Sequence, residues 1–131
     1  MNFLLDTHIW IWSLLEPDRL RPNIALALEN PANDLWLSPI SVWEFLILNE
    51  KRRVVLECDP AKWLERVFKK IHFKEAPLTH QVAIESRLMG LPHQDPADRF
   101  LAATAYVFDL TLITADERLM VSKKIAILRN K

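Results

Sequence analysis

Glycine is almost missing from this sequence, whose 131 residues include only one, Gly90. Phosphate-binding loops of the G-x-G-x-x-G and Walker types need several glycines, because their backbone bends sharply and approaches the phosphates closely. The scarcity of glycine therefore excludes nucleotide binding through either kind of loop.

Cysteine is equally scarce, since Cys58 stands alone. A single cysteine cannot form an internal disulfide, which suits a reducing cytosol, and it leaves no Cys/His cluster with zinc spacing. The chain also lacks the basic start and long apolar run of a signal peptide, because three apolar residues lead directly to Asp6. We therefore expect no membrane span and a cytoplasmic location.

An excess of charge of either sign is missing too, because 17 Lys and Arg residues balance 17 Asp and Glu residues. The composition thus does not indicate the basic face that marks many nucleic-acid-binding domains. Basic residues do cluster at 51–53, 69–70 and 123–124. A solvated surface explains each cluster, and contact with phosphate stays open for one or two of them.

Apolar residues, by contrast, are abundant. They make up 50% of the chain and include five Trp and six Phe, enough for a sizeable core. The length suits one domain, which we expect to span residues 1–131, and it leaves no room for two independent cores.

Short apolar runs alternate with helical patterns along the chain. We predict strands or short extended pieces at residues 3–5, 35–37, 73–77, 112–113 and 125–128. We predict helices at residues 7–15, 22–29, 39–51, 60–70, 79–89 and 97–108, with a short helix beginning at Asp116. Strands separated by helices need crossover connections. The fold class is therefore α/β, with three layers and helices on both faces of a mainly parallel sheet.

Capping residues and prolines set several of these bounds. Ser38, Thr79 and Asp95 are the expected N-caps, and prolines follow Ser38 and Asp95 in the first helical turn. Gly90 is expected to close the helix that Thr79 opens. His93 is expected in the loop that follows.

Acidic residues from four distant segments should meet at one edge of the sheet. Asp6 and Asp116 directly follow predicted strands, Asp98 lies in the first turn of a helix, and Glu44 lies inside a helix that leaves a strand. Ligands of open parallel sheets bind beyond the carboxyl ends of the strands. Converging carboxylates repel each other unless a cation lies between them, and hard oxygen ligands suit Mg²⁺ or Mn²⁺. Metal-assisted hydrolysis is the chemistry this pattern favours.

Each acid also has a structural interpretation. Asp6 and Asp116 can cap the segments that follow them, and for either residue alone that role is favoured. Asp95, placed before a proline, is favoured as an N-cap over a metal ligand. Asp98 can interact with the helix dipole. Glu44 can lie on a solvated face, although apolar residues surround it in the sequence.

Four segments resemble the motifs of VapC-type PIN domains, and they match in order, identity and spacing. Phe3-Leu-Leu-Asp-Thr-His8 resembles the first motif, and Ser38-Pro-Ile-Ser-Val-Trp-Glu-Phe45 the second, which carries a helical Glu. Asp95-Pro-Ala-Asp-Arg-Phe-Leu-Ala-Ala-Thr-Ala105 is similar to the third, and Leu112-Ile-Thr-Ala-Asp116 to the fourth. The resemblance covers nearly the entire chain.

This resemblance implies a three-layer α/β/α sandwich with a parallel sheet of about five strands. It also implies a Mg²⁺- or Mn²⁺-dependent endoribonuclease, usually the toxin of a toxin–antitoxin pair. RNA would be the substrate, an antitoxin the partner, and a homodimer the assembly. The catalytic and metal-binding residues that it implies are Asp6, Glu44, Asp98 and Asp116.

Five further residues of these motifs receive supporting roles. Thr114 matches a hydroxyl position near the metal, where it would hold a carboxylate or a water. Asp95 belongs to the third motif, with capping as its first role. Arg99 is expected to contact a phosphate or to pair with a neighbouring acid. Thr7 is expected to bond to Asp6 or the metal's waters, or to start the helix, and His8 to make a structural hydrogen bond.

The tryptophans are interpreted as core or interface packing rather than as base-stacking platforms. Trp10 and Trp12 lie in the apolar first helix and, where exposed, are candidates for an antitoxin or dimer surface. The same helix supports the prediction of a homodimer.

Three alternative functions stay in view. A receiver-like signalling domain needs a second acid after its first strand and a Lys near its last strand, whereas Thr7-His8 follows Asp6 here. A phosphatase of the haloacid dehalogenase kind needs Asp-x-Asp at that position, and this sequence excludes it. A PIN-like module that binds RNA without cutting it is disfavoured by the intact acidic quartet.

Overall fold

Five parallel strands and six α-helices make up the computed structural model, which describes residues 1–92, 95–120 and 122–130. The prediction for His93 lies outside these residues. The strands are β1 (Asn2–Leu5), β2 (Asp34–Leu37), β3 (Lys74–Glu75), β4 (Thr111–Thr114) and β5 (Ile127–Arg129). The helices are α1 (Thr7–Leu15), α2 (Pro22–Glu29), α3 (Pro39–Glu50), α4 (Pro60–Lys70), α5 (His80–Leu88) and α6 (Pro96–Val107). A short 3₁₀ helix, Pro17–Arg19, follows α1.

The sheet runs in the order β3-β2-β1-β4-β5, and every strand pair is parallel. Strand β1 is central, with Leu4 opposite Trp36 of β2 on one side and opposite Leu112 of β4 on the other. Because the strands are parallel, their carboxyl ends lie at one edge, and the backbone N–H of Asp6 donates to Ile113 there at 3.0 Å. The predicted α/β fold is confirmed.

Both faces of the sheet are covered. Leu4 and Leu112 lie in one apolar cluster together with Leu101 of α6. Phe3 and Leu5 point the other way, because side chains alternate along a strand, and they pack in a second cluster. A strand buried on both faces reads as a continuous apolar run, as β1 does.

The predicted N-caps are in place. Ser38 accepts a hydrogen bond from the N–H of Ile40 at 3.1 Å, and Thr79 accepts one from Val82 at 3.2 Å. Asp95 accepts from the N–H groups of Ala97 at 3.0 Å and Asp98 at 3.3 Å. These bonds satisfy donors that would otherwise be unpaired at a helix start.

Two predicted elements differ from the structure. The segment after Asp116 is a run of turns rather than a helix, because Asp116 accepts from the N–H of Arg118 at 2.9 Å and the next backbone bonds join residues three apart. The last strand begins at Ile127, two residues later than predicted. Ile125 packs against the core but forms no strand pair with β4. The apolar side chain at this position therefore indicated burial and not a strand.

The end of α5 also differs from the prediction. Gly90 was expected to close it, but the φ of Gly90 is not positive, so it does not form the left-handed cap that glycine commonly provides. The helix ends at Leu88, and Met89 is the C-cap. The nearby carbonyls are instead satisfied by a buried side chain from α6, described below.

None of the helices in the described ranges is both long and apolar enough to cross a bilayer.

Candidate active site

One pocket lies at the carboxyl edge of the sheet, where the predicted acids meet. It is lined by Asp6, His8, Trp12, Glu44, Asp95, Asp98, Ala115, Asp116 and Arg118. The acids come from the end of β1, the middle of α3, the start of α6 and the segment after β4. Residues distant in the sequence are therefore brought together by parallel strands that end side by side.

Asp6 is buried and held by both of its carboxylate oxygens. Oδ1 accepts from the N–H of Thr7 at 2.8 Å, and Oδ2 accepts from the hydroxyl of Thr114 at 2.6 Å. Burial raises the pKa of Asp6, while the hydrogen bond from Thr114 lowers it. Asp6 thus caps α1 and faces the pocket at the same time.

Glu44 lies half-buried on the pocket side of α3, while its neighbour Trp43 is 55% exposed. The hydroxyl of Thr7 donates to Glu44 and lies 2.9 Å from the hydroxyl of Ser41, which is fully buried. Burial raises the pKa of Glu44, the hydrogen bond from Thr7 lowers it, and the charge of Asp6 raises it. Thr7 therefore contacts Glu44 with its hydroxyl and Asp6 only with its backbone N–H.

The carboxylate of Asp98 lies among the other negative charges of the pocket. Its side chain is 12% exposed, at the start of α6. Burial first, and then the negative charges of Asp6, Asp95 and Asp116, raise its pKa to about 7. The pocket therefore disfavours a full set of ionised carboxylates unless positive charge enters it.

Arg118 supplies positive charge that the sequence reasoning missed. Its Nε and Nη2 lie 3.1 and 2.9 Å from the two carboxylate oxygens of Asp116, a bidentate pair, and Nη2 lies 3.6 Å from Asp98. The N–H of Asp116 in turn donates to Thr114 at 3.0 Å. The signal available in the sequence was an arginine two residues after the last motif acid.

These side chains fit a divalent cation by their chemistry. They offer carboxylate oxygens, raise each other's pKa values, and already hold a guanidinium between Asp98 and Asp116. Across residues 1–92, 95–120 and 122–130, no three His, Cys, Asp or Glu side chains form a closed ligand set. Hydrogen bonds from Thr7, Thr114 and Arg118 hold the carboxylates to separate partners instead.

Arg99 does not line this pocket. The prediction that it contacts a phosphate is therefore wrong. Arg99 is 5% exposed, and its guanidinium donates to the carbonyls of Ser86 at 2.9 Å and Met89 at 3.1 Å, with longer bonds to Arg87 and Leu91. A group buried this deeply cannot meet a phosphate of RNA. Arg99 ties the end of α5 to the helix that carries Asp98.

Two aromatic residues of α1 have different positions. Trp10 is fully buried in the second core cluster, which confirms the prediction of core packing and leaves it unavailable to an antitoxin or dimer surface. Trp12 lines the pocket, as does the exposed His8, whose ring centroid lies 6.0 Å from that of Trp12. No hydrogen bond joins the His8 side chain to another described residue, and this ring contact takes the place of the predicted bond.

Comparison with known proteins agrees with this geometry. Residues 3–124 match the model of the PIN domain family. Over 119 residues the chain is 34% identical to ribonuclease VapC22 of Mycobacterium tuberculosis, and 88% of each chain is covered. Among solved structures, VapBC2 of Rickettsia felis bound to promoter DNA has a TM-score of 0.73 at 14% identity, covering 98% of both chains. A toxin–antitoxin complex of Klebsiella pneumoniae has a TM-score of 0.64 at 19% identity, covering 98% of this chain and 97% of that one.

Proposed function

This chain belongs to the PIN domain family, and on that premise we propose that it is a VapC-type endoribonuclease, the toxin of a toxin–antitoxin pair. The observation that carries the proposal is the pocket itself, in which Asp6, Glu44, Asp98 and Asp116 converge at the carboxyl edge of the sheet. The substrate is RNA, and the reaction is hydrolysis of its phosphodiester bonds. Residues 1–131 act as one domain in this proposal.

The four carboxylates would hold Mg²⁺ or Mn²⁺, with Asp95 beside them as the cap of α6. Such a cation, when bound, supplies Lewis-acid stabilisation of a phosphate and lowers the pKa of a water. The charge match supports this assignment, because the acids raise each other's pKa values and a cation would relieve that repulsion.

The neighbouring side chains orient these acids. Thr114 fixes one oxygen of Asp6 with its hydroxyl and receives the N–H of Asp116, so it couples the ends of β1 and β4. Thr7 fixes Glu44. Arg118, which is 59% exposed, is placed to meet the negative charge of a phosphate at the pocket mouth.

The proposed partner is an antitoxin protein, since VapBC2 and the Klebsiella complex named above are toxin–antitoxin assemblies. We keep the homodimer and the cytoplasmic location as predictions. The apolar helix α1 no longer supports the homodimer, because its side chains Ile9, Trp10 and Ile11 are buried within the chain.

The two alternative functions, a receiver-like domain and a PIN-like module that binds RNA without cutting it, are supported less well. Membership of the PIN domain family overturns the receiver-like interpretation. A PIN-like module that binds RNA without cutting it would have no use for a crowded acidic pocket, whose charge repels phosphate. The acids therefore favour catalysis over simple binding.

Metal binding tests the proposal independently of activity. At a free Mg²⁺ or Mn²⁺ concentration about 100 times Kd, binding to the folded state adds about 2.7 kcal/mol, which for a chain of this size raises Tm by roughly 10 °C. Asp6→Asn combined with Asp98→Asn should abolish most of that rise and the cleavage of RNA. Asp18→Asn, at an exposed site outside the pocket, is the matched control. An unchanged metal response in the double variant would contradict the assignment.

A further inference from the structure

One wall of the acidic pocket is aromatic. His8 and Trp12 lie one turn apart on α1, a spacing that puts both side chains on the same face of the helix. Their ring centroids are 6.0 Å apart with the planes inclined at 54°. Both residues line the same pocket as Asp6, Glu44, Asp98 and Asp116. The wall thus places two aromatic side chains beside the site where the phosphodiester bond would be cut.

A positively charged side chain, that of Arg19, lies beside this wall. The guanidinium carbon of Arg19, from the 3₁₀ helix after α1, lies 4.9 Å from the centroid of the Trp12 ring. The Arg19 side chain is 57% exposed, and its nearest acid, Glu16, is equally exposed at 3.9 Å. Arg19 therefore holds a solvent-facing positive charge against the indole, outside the acidic cluster.

The chemistry of this wall matches a nucleotide. Its aromatic surface complements the face of a base, and the guanidinium complements the next phosphate. Proteins that read single-stranded RNA stack unpaired bases on aromatic side chains and on arginine. The neighbouring carboxylates are negatively charged, so they could hold the scissile phosphate only through bound cations. They offer no aromatic or apolar surface to a base, which would therefore bind at the aromatic wall.

We propose that Trp12, with His8 beside it, is a stacking site for the base of a nucleotide adjoining the scissile phosphate, and that Arg19 contacts the following phosphate. The site requires an unpaired base, so the substrate class is single-stranded RNA or the loop of a folded RNA. This inference rests on the proposed ribonuclease function. It also reverses the interpretation of Trp12 as packing alone.

The first test is kinetic and uses a single-stranded oligoribonucleotide that the wild-type protein cuts. Loss of one stacked base should raise KM about 5- to 100-fold in Trp12→Leu, with kcat little changed. Trp12→Phe keeps a ring and should stay near the wild-type KM. Trp43→Leu removes an exposed indole that is absent from the pocket lining and is the matched control. A wild-type KM in a folded Trp12→Leu variant would overturn the proposal.

The second test measures binding without cleavage. In the Asp98→Asn background the same oligoribonucleotide should quench tryptophan fluorescence, because a base stacks on an indole. Adding Trp12→Phe should remove most of that quenching, whereas adding Trp43→Phe should not. Quenching that survives Trp12→Phe would overturn the stacking site, including where Trp12→Leu fails to fold. Absence of RNA cleavage by the wild-type protein would instead refute the ribonuclease function. Quenching measured with a single-stranded oligoribonucleotide of mixed sequence would then still decide on stacking.

Discussion

Lowering the pH from 8 to 5 should stabilise the metal-free protein. Asp98 has a pKa of about 7 in the folded state, against 3.8 as its ordinary value. Between pH 3.8 and about pH 7, Asp98 holds a proton in the folded protein that it has already lost in the unfolded chain. The free energy of unfolding therefore falls as the pH rises through this interval. The raised pKa values of Asp6 and Glu44 act in the same direction.

The size of the effect follows from the width of the interval. Each pH unit between the two pKa values is worth about 1.4 kcal/mol, and about two of these units lie above pH 5. Because the Asp98 side chain is 12% exposed, solvent screens this contribution little. Asp98 alone should thus lower the free energy of unfolding by about 3 kcal/mol between pH 5 and pH 8.

Urea unfolding in the presence of a chelator measures this quantity. Asp98→Asn should weaken the pH dependence, leaving the part that is due to Asp6 and Glu44. At pH 8 its free energy of unfolding should be about 2 kcal/mol higher than that of wild type, after the loss of a favourable charge at a helix start. Asp18→Asn should keep the wild-type pH dependence. A wild-type stability that is flat or rises between pH 5 and pH 8, with no change in Asp98→Asn, would refute the argument that repulsion dominates the pocket.

Two further substitutions test how the site is held. Thr114→Val removes the hydroxyl that donates to Asp6, so the free energy of unfolding at pH 8 should fall by about 2–3 kcal/mol in urea unfolding. Thr104→Val, whose hydroxyl bonds only within its own helix, should cost less, and equal losses would count against the bond to Asp6. Arg99→Met leaves buried carbonyls without hydrogen-bond donors, at about 1–3 kcal/mol each, and should lower the free energy of unfolding by about 3–5 kcal/mol in the same assay. Arg99→Lys should recover little of this, because an ammonium lacks the planar fork, and full recovery would contradict the argument.

Most element bounds could be predicted because they are set by local chemistry. Prolines at the first helical position mark the starts of α2, α3, α4 and α6. Ser38, Thr79 and Asp95 add side-chain caps to three helices. Continuous apolar runs marked β1, β2 and β4, since strands buried on both faces carry no polar alternation. The end of α5 was missed because its carbonyls bond to Arg99, thirteen residues after Ser86.

The convergence of the acids could be argued from topology, whereas their partners could not. A carboxylate after a parallel strand must lie at one known edge, which places Asp6 and Asp116 together without any knowledge of side chains. Arg118 and Trp12 follow from no such rule. Their positions depend on a turn at residues 116–120 and on which face of α1 meets the core, and both are settled by packing.

In helix α1, packing against the core also determines which side chains face the acidic pocket. Apolar side chains fix its rotation, because Ile9, Trp10 and Ile11 are all buried. That rotation directs Thr7 toward Glu44 and leaves His8 and Trp12 on the pocket side. The same core contacts that hold the helix therefore orient one carboxylate and present the aromatic wall. A substitution such as Trp10→Ala should for this reason weaken RNA cleavage as well as stability, although the buried side chain of Trp10 does not line the acidic pocket.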